Sequence, residues 1–144
     1  MKKRGLSLLL ALCMVLGMVT ALPEIASAKT YGDLTYEVSN GKVTITDCAN
    51  TATQVDIPEK IDGCPVTMIG GGAFRYCSNL KYVTIPETVT YISYLAFSEC
   101  NGLESIVIPN SVTMIDDDAF WKCAGLINVT IPDSVNDIGS YAFD

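Results

Sequence analysis

The stretch Leu80–Cys100, LKYVTIPETVTYISYLAFSEC, decides the fold, because its apolar residues return downstream at a fixed spacing. Ala-Phe pairs stand at Ala73-Phe74, Ala96-Phe97, Ala119-Phe120 and Ala142-Phe143, each 23 residues after the last. Ile85-Pro86, Ile108-Pro109 and Ile131-Pro132 keep that step, as do Cys77, Cys100 and Cys123, and Leu80, Leu103 and Leu126. A fixed period in the twenties marks a repeat array, in which each unit hides its apolar face only against its neighbours. The stretch is therefore one coil of a solenoid.

Within that coil, Val83 and Ile85 alternate with Tyr82 and Thr84, which is strand spacing with one face buried. Pro86 ends the strand, since it has no N–H for a ladder bond. Val89 and Ile92 turn inward, and Ala96, Phe97 and Cys100 step by one and three, as in a short helical turn. Stacked in register, the coils should set the Phe97 ring between those of Phe74 and Phe120 at about 4.8 Å. The same register makes a parallel sheet from residues near 54–57, 82–85, 105–108 and 128–131.

Working outward, the array needs something different in pattern to cover its first coil. Leu34, Tyr36 and Val38, then Val43 and Ile45, alternate around Ser39-Asn40-Gly41-Lys42, a hairpin signal. Strands are predicted at 34–38 and 42–47 inside a cap spanning 29–52, with repeats over 53–144. The first repeat carries five extra residues, so Glu59 to Val66, with Gly63 and Pro65, should bulge as a loop. The last is incomplete.

Residues 1–28 read as a secretory signal: Lys2, Lys3 and Arg4, an apolar run from Leu6 to Val19, and the small-residue site Ala26-Ser27-Ala28. A membrane span is the weaker reading, since about 20 apolar residues are needed and Thr20, Pro23 and Glu24 break the run. Cys13 as a lipid acceptor is disfavoured by Leu12 before it. The mature domain is thus expected not to span a membrane. Its 6 Lys+Arg against 15 Asp+Glu give a net charge of −9, which argues against a nucleic-acid partner. The chain has no His, the commonest general base and neutral metal ligand.

The spacing L-x-x-[IV]-x-I-P-x-x-V-x-x-I-x-x-x-A-F-x-x-C, as in LESIVIPNSVTMIDDDAFWKC at 103–123, resembles the bacterial leucine-rich repeats of BspA type, also called Treponema pallidum type. The resemblance covers about residues 33–144. It implies a short, right-handed leucine-rich-repeat solenoid, β-rich within the α/β class, with a parallel sheet and an N-terminal hairpin cap. It also implies a secreted or cell-surface, non-catalytic recognition module of adhesin type, with a protein or glycan ligand at a host or neighbouring cell surface. A structural spacer, or a fragment of a larger surface protein, is the competing reading.

The outward strand residues form the broad face on which solenoids usually bind: Gln54 and Asp56, Tyr82 and Thr84, Ser105 and Val107, Asn128 and Thr130. With one aromatic among them, they also fit an ordinary solvated surface. Asp116-Asp117-Asp118 lacks the spacing and glycine of a calcium loop, and no catalytic constellation or cofactor motif emerges. Cys77, Cys100 and Cys123 read as small buried thiols stacked coil on coil. Cys48 and Cys64 stand where similar family sequences often carry a bulky residue. They are a candidate disulfide if the exported chain is oxidised, and otherwise two unlinked thiols. Finally, the edges of Val129, Ile131, Val135, Ile138 and Phe143 should lie uncovered, favouring end-to-end self-association or fraying of the last coil.

Overall fold

A computed structural model describes residues 28–144; the secretory signal and Cys13 lie outside the described residues. The cap begins with β1 (Lys29–Tyr31), absent from the sequence reading, followed by β2 (Leu34–Ser39) and β3 (Lys42–Cys48), all antiparallel. Asn40 and Gly41 turn the hairpin with φ of 52° and 71°, the left-handed pair that a two-residue loop demands. After β4 (Gln54–Asp56) and β5 (Lys60–Ile61) comes β6 (Cys64–Ile69), which pairs in parallel with β3 and so joins cap to array. The inserted residues do not bulge freely. β5 folds back antiparallel on the start of β6 across Asp62-Gly63, both at positive φ, a second tight hairpin whose Asp-Gly signal the loop reading passed over.

The later coils contribute β7 (Tyr82–Thr84), β8 (Tyr91–Ile92), β9 (Ser105–Val107), β10 (Met114–Ile115), β11 (Asn128–Thr130) and β12 (Asp137–Ile138). The continuous sheet is not the expected one. It runs β1-β2-β3-β6-β8-β10-β12 with β5 beside β6, so the two-residue segments read as mere inward bends carry the long ladder. The predicted columns instead form two parallel pairs, β4–β7 and β9–β11, each strand three residues long and ending immediately before an Ile-Pro pair. β7 and β9 adjoin, with Glu104 N donating to Lys81 O, yet share no sheet.

The Ala-Phe segment is a turn, and the described residues contain no helix. Two left-handed residues per coil prevent one, at Gly72, Leu95, Asp118 and Tyr141, and again at Tyr76, Glu99 and Lys122. The freed N–H groups bond the next coil instead: Phe74 N to Ala96 O at 2.8 Å, Phe97 N to Ala119 O at 2.7 Å, and Phe120 N to Ala142 O at 2.8 Å. That spacing drives the ring column, with successive centroids at 4.8, 5.0 and 4.9 Å from Phe74 to Phe143 and planes within 11° of parallel. Val83, Ile85, Val89, Ile92, Leu103 and Val112 pack around it in the core. Close stacking also fixes two glycines, since a Cβ at Gly102 or Gly125 would strike the carbonyl of Ser78 or Asn101 in the coil before.

Candidate binding surfaces

The strand face stands outward as its alternation requires. Gln54, Asp56, Tyr82, Thr84, Val107, Asn128 and Thr130 are exposed and Ser105 is half-buried, while Val55, Val83 and Ile106 between them are buried. Val107 is 65% and Tyr82 48% exposed. Thr84 Oγ1 donates to Asp56 Oδ1 at 2.8 Å, tying β7 to β4, and Tyr82 Oη donates to Glu104 Oε2 at 3.0 Å. The Glu104 carboxylate accepting that bond raises the Tyr82 hydroxyl above its ordinary pKa. Where the sheet is interrupted between β7 and β9, a shallow cleft of about 330 Å³ opens, lined by Tyr82, Thr84, Glu87, Ser105, Val107 and Pro109 among others. The eight predicted residues thus share one face, and those on β7 and β9 also share a cleft.

Sequence reasoning missed a second surface. The turn that carries the phenylalanine column displays Tyr76, Tyr94 and Tyr141, with Trp121 half-buried among them. The Arg75 guanidinium lies 4.5 Å from the Tyr76 ring centroid and Lys122 Nζ 4.0 Å from that of Trp121, both cation–π distances. These are the residue types that dominate binding hot spots. They were invisible as a column because the aromatic occurs at different places in successive turns, and only composition at the turn could have flagged them.

Cys48 and Cys64 are not brought together. In the parallel β3–β6 register Val43 faces Val66, so Cys64 lies beside the start of β3 and Cys48 at its far end. Seven strand residues separate them, roughly 20 Å, against the 7 Å limit for bridged Cα atoms. All five described cysteines are thiols. Burial raises Cys100 and pushes Cys123 up to about 11, so both are neutral donors. Cys100 Sγ donates to Phe74 O at 2.9 Å and Cys123 Sγ to Phe97 O at 3.1 Å.

The acidic triplet is dispersed into local bonds: Asp116 accepts from Tyr91 Oη and Asp117 N, and Asp117 Oδ1 accepts from Ser140 N. Among the described residues no three potential metal ligands cluster. At the last coil, Val129, Ile131, Ile138 and Phe143 are open, as the repeat pattern requires, whereas Val135 packs partly against the core.

Residues 44–144 match, in six copies, the family model described as BspA type Leucine rich repeat region; the match begins inside β3. The leucine-rich repeat protein of Treponema pallidum is 27% identical with a TM-score of 0.64, over 81% of this chain and 66% of that one. A leucine-rich repeat protein of Bacteroides capillosus is 28% identical with a TM-score of 0.53, over 74% of this chain and 99% of that one. The pneumococcal vaccine antigen PcpA, 19% identical at a TM-score of 0.55 over 82% of this chain and 42% of its own, shares the fold. The chain thus spans slightly less than two thirds of the T. pallidum protein. A search of the curated proteins finds no match. With six matched copies over most of its length and coils that stack as those copies require, the chain belongs to the BspA-type leucine-rich repeat family.

Proposed function

We propose that the chain is a secreted or cell-surface recognition module that binds a protein or glycan ligand at a host or neighbouring cell surface, without catalysis and without a cofactor. The observation that carries this reading is the interrupted strand face, where Tyr82, Thr84, Ser105 and Val107 line a cleft on the broad side that solenoids use for ligands. Gln54, Asp56, Asn128 and Thr130 extend it to either side. The basic start, apolar run and Ala26-Ser27-Ala28 site support export. Among the described residues no helix is long and apolar enough to cross a membrane. The net charge of −9 beyond residue 28 weighs against nucleic acid as a partner.

Biolayer interferometry of the full chain against a panel of extracellular-matrix proteins and glycans tests the reading. Saturable binding that Tyr82→Ala and Val107→Asp weaken at least tenfold is expected, with Tyr94→Ala on the turn surface as the control. Weakening by Tyr94→Ala alone would move the site to the aromatic turns. No saturable binding across the panel would favour a spacer, a role that the small, mostly hydroxyl and amide side chains of the strand face also suit.

A further inference from the structure

The thiol column changes character at its first member. Cys100 and Cys123 each reach a phenylalanine carbonyl in the coil before, but Cys77 has the cap above it instead. Its sulfur lies 3.8 Å from Cys48 O and 3.6 Å from Asn50 Oδ1, so its side chain rests directly on Cys48. Both residues are buried, at 4% and 0% exposure. Cys48 is the last residue of β3, while Cys77 closes the first phenylalanine turn, 29 positions away. The register that removes Cys64 from Cys48 therefore delivers Cys77 to it.

We propose that Cys48 and Cys77 form a disulfide in the exported protein, stapling the hairpin cap to the first coil. The two thiols lose two protons and two electrons to a disulfide oxidant, oxidised glutathione or a thiol–disulfide oxidoreductase. One cysteine first forms a mixed disulfide with the oxidant, releasing one thiol. The other cysteine then displaces the second oxidant sulfur, so the oxidant leaves as two thiols. Cys77 and Cys100 do not compete for this bond, since stacked coils hold their Cβ vectors parallel and Cys100 is committed to Phe74 O. In the cell the bond depends on the export reading, because the cytosol keeps thiols reduced.

The test runs in vitro, which separates its failure from that of export. The full chain is equilibrated in a reduced/oxidised glutathione buffer, alkylated and digested with trypsin without reduction. The Lys and Arg positions put each described cysteine on its own peptide: 43–60, 61–75, 76–81, 82–122 and 123–144. The expected product is 43–60 linked to 76–81, two hydrogens lighter than the sum. A link from 43–60 to any other peptide, or alkylation of both Cys48 and Cys77, overturns the proposal. As a second measurement, reduction should lower the Tm of the wild type and of Cys64→Ser alike, by roughly 10 °C. Cys77→Ser should show no such shift. Loss of the shift in Cys64→Ser with retention in Cys77→Ser would overturn the proposal independently of the peptide map.

Discussion

The first and last coils carry the same apolar columns and differ in what lies beyond them. Under the cap, Val55, Ile57, Ile69 and Phe74 are 6% exposed or less; in the last coil Val129, Ile131, Ile138 and Phe143 are 37–46% exposed. Sequence identity of the positions is nearly complete, so the difference is made by the neighbour alone. β3 lays a strand along β6 and converts an edge into an interior, whereas nothing among the described residues lies on β11 and β12 from outside. Burial here belongs to the interface between coils rather than to any coil.

The sharpest way to break that comparison is to cut the same side chain at both places. Phe97→Ala, between two rings and fully buried, should lose about 3–5 kcal/mol through transfer and cavity terms. Phe143→Ala, with one ring neighbour, should lose less than half of that; equal losses in urea melts would show that the last coil is as well packed as the interior. Amide exchange sharpens the contrast. Phe74 N and Phe97 N should be protected at least 100-fold more than Lys122 N, although all three donate to the next coil at 2.7–2.8 Å, because the bond from Lys122 ends on Asp144 and frays locally. Comparable protection would mean that the end opens only with the whole array.

Association is the third test. The open edges should make the chain self-associate at micromolar concentration, and Ile131→Lys with Phe143→Lys should return it to a monomer in light scattering. A wild-type monomer at those concentrations would count against an adhesive end. The smallest effect is in pH. Tyr91 Oη donating to Asp116, with Asp117 N, lowers the Asp116 pKa below its ordinary 3.8. Its stabilising contribution is therefore present above about pH 4 and is lost as pH falls through the folded value. Tyr91→Phe should flatten the acid limb of a Tm-versus-pH curve. Asp62 in the β5–β6 hairpin, held low by Lys29 and Tyr36 of the cap, should keep its own acid slope unchanged in that variant; loss of both slopes would imply global coupling.

What repeats was legible in the sequence. The step of 23 placed the phenylalanine column, the buried Val83 and Ile85 and the outward Tyr82 and Thr84 where they stand, and alternation around Asn40-Gly41 placed the hairpin cap. Within the coils, what does not repeat in residue type was not legible. The left-handed positions hold Gly72, Leu95, Asp118 and Tyr141, of which only glycine announces such a backbone, so the turn read as helical. β8, β10 and β12 are two residues long, too short for alternation to declare itself, so the continuous sheet was assigned to the wrong side of the coil. The cysteine partnership needed register. Cys64 is nearer to Cys48 in sequence, but parallel pairing carries it to the opposite end of β3 and brings Cys77 instead.

The bonds that join Phe74, Phe97 and Phe120 to the coil beyond them point along the stack, and this sets how the molecule yields under tension. A force applied between the cap and the last coil loads those bonds along their length, and it reaches one interface at a time as each coil peels away. Every peeled coil after the first frees 23 residues, about 80 Å of extended chain, in place of one inter-coil spacing of about 5 Å. Tethered at a surface in flow, such a stack would lengthen in uniform steps and dissipate load coil by coil, with the capped end the last to let go.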